Sequence, residues 1–307
     1  MATLWLFNAK TSSGHAPKIH SQVSGMNDKL LILHNPWVAD SVFMAKLYTA
    51  MMVATAVFVY PWTFDTDNSF EGAYVLLAMY VITPFIFAPF LAYRILYIKK
   101  LSNFYLNRST KMIYYQRFSK LFTFNWREVH GGLFRRVEFG GSGSSAWYAL
   151  AFAPARADGS LHQKDCLWID SNEPTEPDIK HVAEAWEYLR HFMDHGPDKL
   201  PPCDEPNWLH RPLHDICLTP LQAWHHYAPW RTGEPGEMQG KKNWMLPFWA
   251  VLFPYNLSLA ICWYIVCRLF NVKAAAPPAE AFEEAPAREP SRKKKLYGRR
   301  RTRLPKE

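Results

Sequence analysis

The apolar residues of this chain are concentrated in three long stretches separated by more polar sequence. Each of the first two, residues 41–64 and residues 73–98, contains a single charged side chain, Lys46 in one and Arg94 in the other. About 20 helical residues cross the roughly 30 Å hydrocarbon core of a bilayer, so both stretches are long enough to span it. We therefore predict a two-helix transmembrane hairpin over residues 41–100.

The charges beside this hairpin predict its orientation. The connection "DTDNSFEG", residues 65–72, carries three acids and no base. The basic side chains lie at the outer ends of the hairpin, at Lys46, Arg94, Lys99 and Lys100. Because basic residues beside membrane helices are retained in the cytoplasm, we expect both outer ends on the cytoplasmic side.

The third apolar stretch, residues 244–270, has flanks that conflict with a simple crossing. Two lysines precede it and a strongly basic C-terminus follows it. A crossing would carry that C-terminus out of the cytoplasm, against the charge rule. A turn at Pro254–Asn256 would make the stretch re-entrant, with arms of about ten residues that are too short to span. An in-plane helix and a single crossing stay open as alternatives.

Residues 101–200 have the composition of a soluble domain and predict strands followed by one helix. Phe104–Leu106 and Met112–Tyr115 have the pattern of a β-hairpin. Further aromatic-rich strand patterns follow on either side of the glycine-rich run at residues 140–145, which we predict to be a flexible loop.

One amphipathic helix is predicted over residues 176–195, with Thr175 as its N-cap and Gly196–Pro197 at its end. Its apolar residues recur at helical spacing and form one face. They are Val182, Ala185, Trp186, Leu189, Phe192 and Met193. This order of antiparallel strands and then a helix resembles bacterial pleckstrin-homology-like domains, in which a small β-sandwich or barrel is closed by a C-terminal helix.

A second resemblance rests on the runs "FYLNRSTKMIYYQR", "FNWREV" and "AEAWEYLRHFMDHGPDKLPP". Together they resemble an uncharacterised family of bacterial membrane proteins that are often encoded among type VI secretion effector and immunity genes. The resemblance covers roughly residues 40–270 and is most specific in the helix that ends in Gly196–Pro197 and Leu200–Pro202. It implies a bacterial inner membrane and a protein partner, either an effector or a secretion component, and it carries no catalytic motif.

These patterns predict an α+β membrane protein with six regions. In chain order they are an N-terminal segment (1–40), a transmembrane hairpin (41–100), a cytoplasmic antiparallel β-domain closed by an amphipathic helix (101–200), an irregular extension rich in Pro, His and Trp (201–243), the third apolar membrane segment (244–270) and a disordered tail with a polybasic end (271–307).

The formal net charge of +8 arises from the end of the chain, where residues 292–306 hold nine Lys and Arg. Nucleic-acid-binding domains usually carry their basic residues along one face of the folded body, so this segregation argues against nucleic acid. We predict that the tail contacts anionic headgroups of the bilayer. A topology anchor without a specific ligand and a site for an acidic protein are the alternatives. The predicted surface contacts are Arg292, Lys293, Lys294, Lys295, Arg299, Arg300, Arg301 and Arg303.

Histidine pairs are the candidate metal ligands. They are His191 with His195, His210 with His214 beside Asp215, and His225 with His226. No HExxH frame accompanies them, and solvent exposure or packing explains each pair, so we predict no metal and no cofactor. There is also no GxSxG motif. Cys262 and Cys267 are expected to be packed thiols, with palmitoylation as the alternative.

The function expected from these observations is that of a non-enzymatic, multi-pass inner-membrane interaction protein. The family resemblance adds an accessory or immunity role linked to type VI secretion. One alternative is a membrane-anchored lipid-sensing module, from the pleckstrin-like pattern and the basic tail. The other is a metal-dependent membrane enzyme that uses the histidine pairs.

Overall fold

The protein has an α+β fold. The structure, a computed structural model, describes residues 4–20, 22–63, 70–140, 143–154, 167–170, 178–202, 208, 211–239 and 246–283. Within these ranges nine strands form two antiparallel sheets and six α-helices accompany them. The strands are β1 (Leu4–Asn8), β2 (Val23–Met26), β3 (Leu30–Leu33), β4 (Phe104–Asn107), β5 (Met112–Arg117), β6 (Lys120–Asn125), β7 (Val129–Gly140), β8 (Gly143–Pro154) and β9 (Leu167–Asp170). The helices are α1 (Pro36–Thr63), α2 (Phe70–Lys100), α3 (Ile179–His195), α4 (Arg211–His214), α5 (Pro220–Tyr227) and α6 (Leu246–Leu269).

The five-stranded sheet has the order β2-β3-β4-β5-β6. Its neighbours β3 and β4 are antiparallel partners, with Leu33 opposite Phe104, although α1 and α2 separate them in the chain. The side chain of Asn35 closes this junction by donating to the carbonyl of Ser102 at 2.9 Å. The start of α1 and the end of α2 are therefore held together, where β3 ends and β4 begins.

The four-stranded sheet has the order β1-β7-β8-β9. The prediction of a flexible loop at residues 140–145 is wrong for residues 143–145, because β8 begins at Gly143 and pairs with β7 from there. No element was predicted within residues 1–40, yet β1 forms the edge of this sheet beside β7, and β2 and β3 belong to the other sheet.

α3 closes the sandwich as predicted, and all six residues of its predicted apolar face are buried. Its beginning differs from the prediction: the helix begins at Ile179, and the N-cap is Asp178, whose carboxylate accepts from the Lys180 amide. Thr175, the predicted cap, lies outside the described residues. Trp186 is fully buried and stacks on Trp126 with ring centroids 5.2 Å apart.

α1 and α2 run antiparallel, since Asp40 pairs with Arg94 near one end and Tyr48 contacts Phe87 further along. Where the two helices meet the sandwich they form a second hydrophobic cluster, here called the base cluster. Its buried members are Val42, Ala45, Leu91, Ile95, Ile98, Ile216, Trp263, Cys267 and Val272.

Two predictions for the C-terminal half are wrong. The extension at residues 201–243 is not irregular throughout, because it contains α4 and α5. The re-entrant form of the third apolar stretch is also wrong, because α6 continues as one helix through Pro254. In-plane and spanning placements both remain compatible with a continuous helix.

We predict that Gly131→Ala lowers the free energy of unfolding by about 1–3 kcal/mol, because a methyl group there would overpack the core. A Cβ at Gly131 would lie 2.6 Å from Cε3 of Trp186. Gly25→Ala is the matched control, because its Cβ would meet only Ile32 Cδ1, at an ordinary 3.7 Å. Thermal unfolding of detergent-solubilised protein measures both variants. Equal midpoints for the two would contradict this packing.

Candidate membrane interface

Two helical segments within the described ranges are long and apolar enough to cross a membrane, Val81–Lys100 in α2 and Ala250–Leu269 in α6. Only 17% of the first and 11% of the second is buried inside the protein. The core helix of a soluble protein would be mostly buried, so this exposure favours contact with lipid. The first predicted span, residues 41–64, forms most of α1, but the side chains of residues 58–64 lie outside the described part.

The antiparallel pair α1–α2 exposes a continuous set of large apolar side chains beyond its base. Phe85 is the most exposed of them, at 81%. The others on this surface include Val57, Val81, Ile82, Ile86 and Phe90. A soluble monomer seldom leaves so large an apolar surface in water.

Polar and aromatic side chains surround the base of the same pair. Arg94 and Asp40 form an ion pair at 3.0 Å. The ammonium of Lys46 donates to the carbonyl of Pro212, and that of Lys99 to the carbonyl of Phe270 at 3.3 Å. Trp37 is 45% exposed at this level. Charged side chains next to an apolar surface, with an aromatic ring at the boundary, are typical of the membrane–water interface.

α6 has two distinct faces. One face packs on the protein: Trp263 donates its indole N–H to the Ile216 carbonyl at 2.7 Å, and Phe253 contacts Trp224 at a ring-centroid distance of 4.9 Å. The opposite face is exposed and apolar. Its members are Val251, Tyr255, Ile261, Ile265 and Leu269. Residues 216–230 thus follow one side of the helix and leave the other side uncovered.

A partly buried polar network links Trp208, Arg211 and Glu234 to residues 216–230, here called the covering segment. Glu234 accepts from the Trp208 indole at 3.0 Å and from Arg211 at 2.8 Å, and it contacts Nδ1 of His226 at 3.1 Å. Burial opposes ionisation of Glu234, but these hydrogen bonds and the charge of Arg211 outweigh it and lower the pKa of the carboxyl. Thr219 and Gln222 form a capping box at the start of α5.

A stacked histidine pair lies beside the base cluster. His34, which follows β3, stacks on His214 of α4 with ring centroids 3.9 Å apart. Burial lowers the pKa of His34 from 6.5 to about 4, and the nearby Asp215 carboxylate offsets part of this effect. His34 is therefore neutral when the protein is folded near neutral pH.

The predicted histidine pairs have different surroundings in the structure. His191 and His195 are neighbours, with ring centroids 4.7 Å apart, and burial together with nearby positive charge lowers the pKa of His191. His226 is buried against Glu234, whereas His225 is exposed. His210 lies outside the described residues.

Only one group of three potential metal ligands occurs among the described residues, and it joins His181 and Glu184 of α3 to His20. No sequence motif reveals this group, because His20 comes from a distant part of the chain.

The remaining predicted residues can be placed only in part. All eight predicted membrane-surface contacts, from Arg292 to Arg303, lie outside the described residues. Cys267 is buried in the base cluster, as expected for a packed thiol, and Cys262 is half-buried. The aromatic residues that cover α6 were not predicted, although the sequence "TPLQ" at residues 219–222 contains the capping signal of the helix that carries Trp224.

Comparison with known proteins gives one match. The model of a family of unknown function, DUF6708, matches residues 73–274, which is more than half of the chain. No curated protein and no solved structure matches the chain. The matched range begins within α2 and ends just after α6, so it includes α3 and the covered face of α6.

We predict that His34 makes the fold sensitive to acid between pH 6.5 and about pH 4. In this window the unfolded chain binds a proton that the folded chain does not, so stability falls as the pH falls. Between pH 7 and pH 5, the unfolding free energy of His34→Phe should fall by about 2 kcal/mol less than that of the wild type. The measurement is the unfolding free energy at pH 7 and pH 5.

His15→Phe is the control for this experiment, because His15 is exposed and should leave the wild-type pH dependence unchanged. An equal loss of stability on acidification in His34→Phe and in the wild type would show that His34 does not titrate as described.

Proposed function

We propose that this chain, which belongs to the DUF6708 family of unknown function, is a non-enzymatic membrane-anchored interaction protein. α1 and α2 cross the bilayer as an antiparallel pair, α6 lies in the plane of the cytoplasmic interface, and the sandwich lies in the cytoplasm. The observation that carries the proposal is the large exposed apolar surface of α2 and α6, which adjoins a polar, well-packed domain.

The covered face of α6 supports the in-plane placement. A helix of 24 residues is about 36 Å long, so it could cross a bilayer by length alone. The covering segment, however, contacts α6 at Trp263 and again at Phe253, about 15 Å away along the helix axis. A crossing would carry this segment, with Arg211 and Glu234, into the hydrocarbon. Buried polar groups there cost several kcal/mol each unless they are paired, and exposed loops are not tolerated.

The two ends of α6 give independent support. The chain after α6 returns to the five-stranded sheet, where Asn107 donates to the carbonyls of Ala281 at 2.9 Å and Glu283 at 3.0 Å. The chain before α6 contacts the first half of the helix, where Trp224 and Trp230 pack on Phe253. An in-plane helix keeps both flanks on the sandwich side and leaves its apolar face for lipid.

The orientation is proposed from charge. Lys99 and Lys100 lie at the sandwich end of α2, whereas residues 65–72 at the far end carry only acids. The positive-inside rule then makes the sandwich cytoplasmic. The basic tail would lie on the same side, where each charge near an anionic leaflet contributes roughly 1 kcal/mol.

The biological role is proposed from the resemblance to membrane proteins encoded among type VI secretion genes. In that setting the cytoplasmic sandwich would bind an effector or a secretion component, and the protein would act as an accessory or immunity factor. The membrane helices would hold the binding domain at the surface where such a partner arrives.

The topology predicts the activity of reporters inserted into the full chain. Alkaline phosphatase should be active after Asn68, and a fluorescent protein should mature after Lys241 and after Glu307. Residues 241 and 307 flank α6, so the two positions report the same side only if α6 does not cross. Phosphatase activity at one of these two positions but not the other would establish a crossing and reject the in-plane placement.

The proposed role predicts that co-expression with the toxin encoded beside the gene restores growth. A matched control replaces residues 36–101 with a short Gly-Ser turn, which the pairing of Leu33 with Phe104 should accommodate. This control lacks the transmembrane pair but keeps the apolar face of α6, so it should still need detergent for purification and should protect poorly. Unchanged toxicity with the wild-type chain, together with no secretion component recovered by pull-down, would count against the role.

A further inference from the structure

We propose that His20, His181 and Glu184 form a zinc site that fastens the N-terminal segment to α3. This site is separate from the membrane interface and does not depend on the function proposed above.

The three side chains converge from two parts of the chain. His181 and Glu184 are three residues apart on α3, so they share a face, and Nδ1 of His181 lies 3.2 Å from Oε2 of Glu184. His20 comes from the stretch between β1 and β2, and its ring meets the His181 ring edge-on at a centroid distance of 5.0 Å. One ligand atom from each residue lies within 4.8 Å of the other two.

The separation is close to what one metal ion requires. With bonds of about 2.0–2.2 Å, tetrahedral zinc holds its ligand atoms about 3.3–3.5 Å apart. The His181–Glu184 pair is already close to this distance, and the ligand atom of His20 has to approach the other two by about 1.5 Å at most.

The donor set and its burial suit zinc. Two imidazoles and one carboxylate form a ligand set that Zn²⁺ prefers, with a fourth position for water. His20 is 7% exposed and Glu184 6%, whereas His181 reaches the surface with 13% of its side chain. A buried carboxylate needs a positive partner. At present Glu184 has Lys180 at 3.4 Å, but that side chain is 61% exposed and can withdraw when a metal binds.

The position of the site would let a bound metal join two distant parts of the chain. β1 belongs to one sheet and β2 to the other, and residues 9–20, which follow β1, lie across α3. Two hydrogen bonds already attach this segment to α3. The Ser13 amide donates to the Glu187 carboxylate, and the Lys18 amide donates to the Glu184 carbonyl at 3.3 Å. A metal bond to His20 would add a third and stronger attachment between this segment and α3.

The test is zinc binding by the full-length protein in detergent. After chelation and reloading with ZnCl₂, elemental analysis should find one tightly held zinc per chain, and zinc should raise the thermal midpoint. His20→Gln, His181→Gln and Glu184→Gln should each lose that zinc and the rise in midpoint. Cobalt should give the absorption of a four-coordinate site in the wild type and in none of these three variants.

The matched control is His191→Gln combined with His195→Gln, which removes the other histidine pair of the same helix and should keep zinc. Circular dichroism of the metal-free variants identifies any that fail to fold, and Glu184→Gln, which keeps the shape of the side chain, then decides. The proposal is overturned if the wild type holds no zinc, if the three site variants keep it, or if the control loses it.

Discussion

The structure depends on the antiparallel pairing of β3 with β4. These strands are neighbours in the five-stranded sheet, but the whole of α1 and α2 lies between them in the chain. Because Leu33 is opposite Phe104 and Asn35 bonds to Ser102, the helix pair must leave and re-enter the sandwich at one place. If the far end of the helix pair lies in a membrane, the N-terminal strands and the rest of the sandwich must therefore lie on the same side of that membrane.

α6 is subject to a related constraint, because the segments before and after it are both attached to the sandwich side. The base cluster takes Trp263, Val266 and Cys267 from its last third, and Trp224 and Trp230 contact Phe253 in its first half. On the proposed topology the protein has two modes of membrane contact. The α1–α2 pair enters the bilayer, whereas α6 lies on it with one apolar face towards lipid. The polar network around Glu234 can then remain in a hydrated layer.

Periodicity and hydropathy predict the parts of this molecule that local sequence determines. The apolar face of α3 was predictable residue by residue, and the β4–β5 hairpin was predictable from alternation and its turn. The failures involve long-range or context-dependent contacts. β1 has five residues and is defined by its pairing with β7, more than 120 positions away. Pro254 has turn chemistry in sequence, yet it lies inside α6, where the Ser258 hydroxyl donates to its carbonyl at 2.7 Å. The cluster of His20, His181 and Glu184 has no sequence signature, because sequence spacing relates only two of its three members.

The central claim is that α2 enters the bilayer while α6 lies along its surface. The most direct measurement is a depth profile from spin labels on a cysteine-free full-length protein in lipid nanodiscs. Labels on α2 at Tyr93, Phe85 and Val81 should show oxygen accessibility that rises towards the bilayer centre. Labels on the exposed face of α6, at Val251, Tyr255 and Ile265, should show one nearly constant, shallow depth. A profile along α6 that deepens to a maximum at mid-helix and becomes shallow again would contradict the account.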